Sequence, residues 1–219
     1  MTLPVVPWPG GVKPRHVRQL QTGSPTRGTD CGPSSLTMAL EVASGPGLRP
    51  GLDLHADWIA ALRLEMTHGP AWPATTLPNH MDAAMSDLTM GAFLAVGRRR
   101  PIAQYRVLPF DDIADALRRG CAVVVGIDYG RLNDLMPRLS GSPAFRGQHF
   151  VCLQGHERTR GSAWTHLGDP LHDGRRPGIP RGWQTVRLAR YLRAAETFGT
   201  PKAGAGKAKV CLILPAKER

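Results

Sequence analysis

The segment Asp30-Cys31-Gly32-Pro33 places a thiol where a turn passes into a helix. Apolar residues recur at helical spacing after it, and Gly45 suits a left-handed C-terminal cap. Asp30 can cap the first turn, whose positive dipole end favours a thiolate over a thiol. Cys31 is therefore a candidate nucleophile, although a single cysteine is more often a small buried apolar residue.

A nucleophilic cysteine needs a histidine as its base and a third group that orients that histidine. His149 opens an apolar strand, and Asp169 ends a second strand over 163–168. The intervening loop 157–161 has the length of a hairpin connection, so we expect antiparallel pairing that brings His149 and Asp169 to one sheet edge. Two simpler interpretations stay open: a strand histidine satisfied within the core, and a turn-forming aspartate before Pro170.

Three short motifs, Asp-Cys-Gly-Pro, Gly-Gln-His-Phe-Val and Gly-Asp-Pro, occur in this order along the chain. Together they resemble the papain-like cysteine peptidases, specifically the type related to the double-glycine peptidases that process bacteriocin leaders. The resemblance spans roughly residues 15–214. It implies Cys31 as nucleophile, His149 as general base and acid, and Asp169 as the group that orients the imidazole.

The oxyanion donor is where the sequence departs from this family. Papain-like enzymes carry a glutamine shortly before the nucleophile, and Pro25 stands at that place here. Gln19 and Gln21 are the available amides, and Gln19 is preferred because many relatives place this residue farther upstream. The backbone N–H of Cys31 can donate with either glutamine. Both glutamines could also be ordinary loop amides.

The substrate cleft is expected between the Cys31 helix and the sheet edge that carries His149. Apolar spacing predicts helices over 55–66 and 78–86, joined by a loop over 68–76. The resemblance implies that this region borders the cleft, and that Gly32, Thr76 and Gln148 contact substrate.

A metal site at His166, Asp169 and His172 competes with the triad. Alternation along the strand turns Asp169 away from His166, and Pro170 interrupts the regularity that would bring His172 round. No fourth ligand or water-activating glutamate stands at a helical histidine spacing, so we predict no metal and no cofactor. His156 is a rival base, but we expect it at the opposite end of the strand from Asp169.

The remaining elements define the fold class. Periodicity predicts helices over 111–119 and 186–197, and strands over 121–128 and 209–214. Helices first and mostly antiparallel strands afterwards indicate an α+β arrangement. The resemblance implies a papain-like cysteine peptidase fold, with N-terminal helices packed on a mostly antiparallel β-sheet.

The 219 residues fit a single domain, since no linker or repeat divides them. We expect an N-terminal arm over 1–14, a catalytic core over 15–214 and a basic tail over 215–219. The N-terminus lacks a charged region followed by a long apolar run, so we expect synthesis in the cytoplasm without a signal peptide. No apolar run predicts a membrane span. The four cysteines lie far apart, which excludes a zinc ribbon and disfavours a disulfide framework.

The net charge of +11 favours anionic polymers such as nucleic acid or cell-wall material. Aromatic residues make up only 6%, which makes nucleic acid the weaker choice. The arginine excess over lysine also reflects the codon bias of a GC-rich genome.

From the resemblance and this composition we expect a cysteine peptidase or amidase that cuts peptidoglycan cross-bridges or stem peptides. It would be a phage-type virion-associated or lysis enzyme, acting on the cell wall, with virion tail proteins as possible partners. Two alternatives stay open. One is a non-catalytic papain-like structural or cell-wall-binding module of a virion, and the other is an acyl transferase that uses the same triad.

Overall fold

The computed structural model describes residues 3–11, 13–21, 31–44, 103–175, 177–199 and 201–214. The helices predicted over 55–66 and 78–86, the loop 68–76 and the tail 215–219 lie outside the described residues. So do Asp30 and Gly45, the predicted caps of the Cys31 helix.

The described residues form strands and helices that alternate along the second half of the chain. The strands are β1 (Ala103–Pro109), β2 (Ala122–Asp128), β3 (Gln148–Thr159), β4 (Ser162–Gly168), β5 (Gln184–Arg187) and β6 (Lys207–Ile213). The α-helices are α1 (Cys31–Ser44), α2 (Phe110–Arg118), α3 (Tyr129–Leu135) and α4 (Leu188–Leu192). Short 3-10 turns cover Pro9–Gly11, Gln19–Gln21 and Pro137–Leu139.

The six strands form one sheet in the order β1-β6-β2-β3-β4-β5, and all neighbouring strands pair antiparallel. The α+β class predicted from sequence is therefore confirmed. Strand β2 lies inside the sheet, and its run of valines and isoleucine is buried because both faces of the strand are covered.

Helix α1 packs against one face of the sheet and connects to β3 through polar contacts. Ser35 Oγ donates a 3.0 Å hydrogen bond to the Phe150 carbonyl, and Gln154 Nε2 donates one of 2.7 Å to the Met38 carbonyl. The alternate residues Val151 and Leu153 belong to the core on the opposite face, where α2, α3 and α4 pack. Residues at the start of α1 are thereby fixed against the beginning of β3.

The β3–β4 hairpin is tighter than the sequence predicted. Its turn is Arg160-Gly161, with φ angles of 51° and 73°, so the strands continue well into the predicted loop 157–161. A register shift between Gln154 and Glu157 accommodates Gly155, whose φ is 68°. The antiparallel pairing expected of these two strands is confirmed.

The predicted helix over 186–197 is wrong over much of its length. Val186 belongs to strand β5, where it pairs with Thr165 of β4, and the following helix covers only Leu188–Leu192. β-branched side chains suit the pleated edge position, and this pairing outweighs the helical periodicity of the segment. The other predicted elements, over 111–119, 121–128 and 209–214, are present as α2, β2 and β6 with slightly shifted ends.

The described part of the N-terminal arm, residues 3–11 and 13–14, lies along β4 and the segment that follows it. His166 Nε2 donates to the Val6 carbonyl at 2.9 Å, and the His166 ring stacks on Trp8 with centroids 3.5 Å apart. Trp183 Nε1 donates to the Pro14 carbonyl at 3.0 Å. These contacts fix the direction in which the chain approaches Gln19. None of the described helices is long and apolar enough to cross a membrane.

Candidate active site

Cys31 is the first residue of α1, and part of its surface remains exposed. Its thiol is hydrogen-bonded to the side chain of His149 and to the backbone N–H groups of Gly32 and Phe150. The contacts between α1 and β3 therefore place the helix start beside the first residues of β3. The predicted nucleophile and the predicted base are in direct contact.

His149 and Asp169 meet because of the register between β3 and β4. Leu153 pairs with Leu167 and Cys152 pairs with Gly168, so the next position along β4 is Asp169, on the same face as His149. His149 Nε2 and Asp169 Oδ1 are 2.9 Å apart. Since Nε2 faces the carboxylate, Nδ1 is the ring nitrogen left for the thiol.

The Asp169 carboxylate is fully buried and is surrounded by donors. Oδ1 accepts from His149 Nε2 at 2.9 Å and from the Leu171 backbone N–H at 2.8 Å. Oδ2 accepts from the Tyr129 hydroxyl at 2.9 Å, and His172 Nε2 lies 3.5 Å away. The closer acceptor for His172 is the Leu139 carbonyl at 2.7 Å. This donor set stabilises the ionised carboxylate inside the protein.

Tyr129 connects the carboxylate to the backbone of a neighbouring loop. Its hydroxyl donates to Asp169 and accepts a 2.7 Å hydrogen bond from the Gly141 N–H. The Tyr129 ring packs edge-on against His149 with centroids 5.0 Å apart, and Phe145 forms a second edge contact with the imidazole at 6.2 Å. The imidazole plane is thus restrained by two aromatic rings.

The electrostatics of the cluster favour a thiolate and an imidazolium. Burial by itself raises the pKa of Cys31, but the charge and the hydrogen bond of His149 outweigh it, and the net pKa falls below the usual thiol value. Burial alone lowers the pKa of His149, whereas Asp169 and Cys31 raise it to about 10. Burial also opposes ionisation of Asp169, but His172, His149 and the Leu171 N–H hold its pKa well below the usual range.

Gln19, the predicted oxyanion donor, lies next to this cluster in the described chain. Its backbone N–H donates to the Pro170 carbonyl at 3.2 Å, and the residue is 3% exposed. His16, three positions earlier, has Nε2 2.9 Å from the Asp169 carbonyl. Burial outweighs this hydrogen bond and lowers the pKa of His16 to about 4, so His16 is neutral near pH 7 and its Nε2–H donates.

The other predicted site residues have different outcomes. One contacts the thiol, one has its side chain hydrogen-bonded within the fold, one shares a turn with Gln19, and one lies outside the described residues. Gly32 touches the thiol through its N–H. The side-chain carbonyl of Gln148 accepts a 3.0 Å hydrogen bond from the Gly199 N–H, so part of its polar capacity already serves the fold. Gln21 shares the 3-10 turn of Gln19. Thr76 lies outside the described residues.

The expectation that Pro170 keeps His172 away from Asp169 is wrong. The His172 N–H donates to the Asp169 carbonyl at 2.9 Å, and this turn folds the histidine back against the carboxylate. His166 instead contacts the N-terminal arm. Among the described residues, no three or more His, Cys, Asp or Glu side chains are grouped to hold a metal. His156 lies at the other end of β3, beside Glu157, as expected.

Three residues of the cluster were not predicted from sequence: Tyr129 and His16, which contact Asp169, and the loop glycine Gly141, which contacts Tyr129. Tyr129 directly follows the buried strand β2, and a polar aromatic residue at a strand end is a usable signal for such a site. The contacts of His16 and Gly141 depend on the backbone paths of the N-terminal chain and of a loop, and no local sequence pattern predicts these paths.

No protein-family model matches the sequence, and no curated protein matches it significantly. A partly exposed thiol, an imidazole and a buried carboxylate form one continuous hydrogen-bonded chain. Such a chain can activate the sulfur as a nucleophile and can return a proton to a leaving group.

We predict that iodoacetamide alkylates Cys31 at a pH well below the range in which ordinary thiols react. The thiolate forms as pH rises through the lowered pKa of Cys31, while the imidazolium persists until the raised pKa of His149, about 10. Mass spectrometry of a pH series measures the rate at each cysteine. Cys121, Cys152 and Cys211 are buried internal controls, and burial raises the pKa of Cys152 further.

In the His149→Gln variant the Cys31 profile should move to higher pH, because the thiolate loses its counter-charge. Equal rates at all four cysteines would contradict the account. An unchanged Cys31 profile in His149→Gln would contradict it as well.

We predict that Tyr129→Phe lowers the free energy of unfolding by about 1–3 kcal/mol near pH 7, because a buried carboxylate oxygen loses its donor. Asp169 has a depressed pKa, so its stabilising contribution is present above the unfolded pKa and is lost as pH falls. The deficit of the variant should therefore shrink below about pH 4. Urea unfolding at several pH values measures both effects.

Tyr191→Phe is the matched control for this prediction. Tyr191 is fully buried, and its hydroxyl makes no hydrogen bond with the described residues, so its removal should cost little. A similar loss of stability in both variants would show that the Tyr129–Asp169 hydrogen bond makes no specific contribution to the free energy of unfolding.

Proposed function

We propose that this chain is a papain-like cysteine peptidase or amidase. The observation that carries the proposal is the hydrogen-bonded chain from the Cys31 thiol through His149 to the buried carboxylate of Asp169. The order Cys, His, Asp along the sequence, the position of the cysteine at a helix start and the antiparallel sheet behind the histidine also support it. A structural role alone does not require a partly exposed thiol beside a charged imidazole.

In the first half of the reaction, Cys31 passes its proton to His149 Nδ1 and the thiolate attacks an amide carbonyl carbon. The carbon–sulfur bond forms, and the carbonyl electron pair moves to oxygen. When this intermediate collapses, the carbon–nitrogen bond breaks and His149 returns the proton to the departing amine. A thioester on Cys31 and a free amine are the products of this half.

In the second half of the reaction, water hydrolyses the thioester and regenerates the free enzyme. His149, now neutral, accepts a proton from water as the oxygen attacks the thioester carbonyl. The carbon–sulfur bond then breaks, a carboxylic acid leaves, and Cys31 and His149 regain their ion pair. Asp169 holds the imidazole in one orientation and stabilises its positive charge in both halves.

The oxyanion that forms in each half needs hydrogen-bond donors. The Cys31 backbone N–H stands at the helix start, where no intrahelical acceptor is available for it. The buried amide residue Gln19, next to Pro170, is the proposed second donor. A missing oxyanion donor in other enzymes typically costs a factor of about 100–1000 in turnover.

For the substrate we propose peptide bonds of peptidoglycan, in cross-bridges or stem peptides. Two features support this choice: the resemblance of the three motifs to papain-like peptidases and the net charge of +11, which attracts an anionic wall. In this proposal the protein acts on the cell wall, as a phage-type virion-associated or lysis enzyme.

We predict that the protein releases new amino groups from purified cell walls and that Cys31→Ala abolishes the release. His149→Gln should lower the rate by at least roughly 10²–10⁴-fold, the usual contribution of a general acid–base group. Cys152→Ala is the matched thiol control. It removes a buried cysteine on the face of β3 toward α1 and should keep activity if its circular dichroism spectrum is unchanged.

Added hydroxylamine separates the chemical alternatives in the same assay, because it converts a Cys31 thioester into a hydroxamate. Amine release and hydroxamate formation, both lost in Cys31→Ala, support the proposal. Equal release by the native protein and Cys31→Ala would contradict it. Wall binding by both proteins without release by either would favour a non-catalytic module.

A further inference from the structure

A second site lies at the other end of strand β3 from the Cys31 cluster. The β3–β4 hairpin, helix α2 and helix α4 enclose a groove with a volume of about 940 Å³. The hairpin end is separated from His149 by most of the length of β3, roughly 25–30 Å of strand. The groove is therefore distinct from the proposed catalytic centre.

The groove is dominated by guanidinium groups. Arg118, Arg158, Arg187, Arg190 and Arg193 line it, together with the carboxylates of Asp111, Asp115 and Glu157. Five arginines against three carboxylates leave two positive charges in excess. The groove is thus basic even though it contains acidic residues.

The carboxylates do not neutralise most of these arginines. Arg118 pairs with Asp115 at 3.2 Å, and Glu157 accepts a hydrogen bond from Thr159. Within the described part of the chain, no ion pair involves the other four arginines of the groove. Arg187 packs over the Trp164 ring at 5.2 Å from its centroid, a contact that leaves its positive charge without a counter-ion. Several guanidinium groups are therefore available to an external anion.

Three of these arginines lie at and beside helix α4: Arg187 directly precedes it, Arg190 lies within it and Arg193 directly follows it. Arg187, Arg190 and Arg193 are three residues apart, while Leu188, Tyr191 and Leu192 on the other face are buried. Like charges close together on one surface repel each other. An anion with several charges, bound along these arginines, would offset this repulsion.

The uncharged residues that line the groove restrict the chemical class of ligand that it can bind. Its apolar residues are only Ala114, Ala163 and Ala189, with Gly161 at the hairpin turn. His156 is the one aromatic ring in the lining that the structure describes, and no phenylalanine, tyrosine, tryptophan or large aliphatic side chain lines the groove there. A protein partner ordinarily inserts such an anchor into a matching pocket, and a single-stranded nucleic acid stacks its bases on aromatic rings.

We propose that this groove binds a base-free phosphate polymer, a chain of closely spaced phosphates or phosphodiesters without nucleobases. Arginine forks match phosphate oxygens in two-point hydrogen bonds, and small alanine side chains let the backbone of such a chain approach. The groove would hold the protein on a polyanionic surface while leaving the Cys31 cluster free.

The test is the binding of inorganic polyphosphate to the full chain, measured by calorimetry over a series of salt concentrations. We expect binding at about 0.1 M salt that weakens steeply as salt increases, because each phosphate contact releases counterions. The variant Arg187→Ala/Arg190→Ala/Arg193→Ala should lose at least about tenfold in affinity. Its slope of log Kd against log salt should fall by about three.

A second triple variant, Arg119→Ala/Arg175→Ala/Lys202→Ala, removes the same charge from exposed positions outside the groove. It should keep most of the affinity. Equal losses in the two triple variants would overturn the proposal, since they would show attraction to net charge alone. Absence of polyphosphate binding at about 0.1 M salt would overturn it too.

Single-stranded DNA and poly-glutamate are the competing ligands in the same experiment. Tighter binding of either than of polyphosphate at equal charge concentration, lost with the α4 arginines, would overturn the base-free phosphate class. The alkylation rate of Cys31 should be unchanged in the groove variant. The outcome for the groove is therefore independent of the outcome for the proposed peptidase.

Discussion

The ionised carboxylate of Asp169 is the group on which the rest of the site depends. A buried carboxylate without donors would strongly destabilise the fold, so three donors converge on its two oxygens and His172 lies 3.5 Å away. Tyr129 reaches it from the end of β2, His149 from β3, and the Leu171 N–H and His172 from the turn after β4. Hydrogen bonding to this one carboxylate thus holds three parts of the chain together. The same bonds fix the imidazole that contacts the thiol.

The sheet explains how these segments arrive together. Antiparallel pairing of β2 with β3 and of β3 with β4 brings the end of β2, the start of β3 and the end of β4 to one edge. Helix α1 then supplies the thiol from the opposite face, held by Ser35 and Gln154. The chain that follows the N-terminal arm adds His16 and Gln19 along the segment after β4. A small set of backbone registers therefore determines the geometry of the whole cluster.

The sequence allowed prediction of the parts of this site that have local signals. Cys31 at a helix start, His149 at a strand start and Asp169 at a strand end each follow from turn residues and periodicity. The contact of Gly141 with the Tyr129 hydroxyl could not be predicted, because it depends on the path of a loop between distant segments. The error at His172 came from treating Pro170 only as an interruption of the strand, whereas a turn at this point folds His172 back toward Asp169. The error over 186–197 came from weighing helical spacing above the strand pairing of Val186 with Thr165.

The central claim is that His149 carries a positive charge because it lies between Asp169 and a Cys31 thiolate. Nuclear magnetic resonance of the His149 ring nitrogens through a pH titration tests it most directly. The account predicts an imidazolium at about pH 8, well above the usual histidine range, and a lower pKa in Cys31→Ser, which removes the thiolate charge. A neutral His149 at about pH 7, with a titration unaffected by Cys31→Ser, would contradict the ion pair and the nucleophilic mechanism built on it.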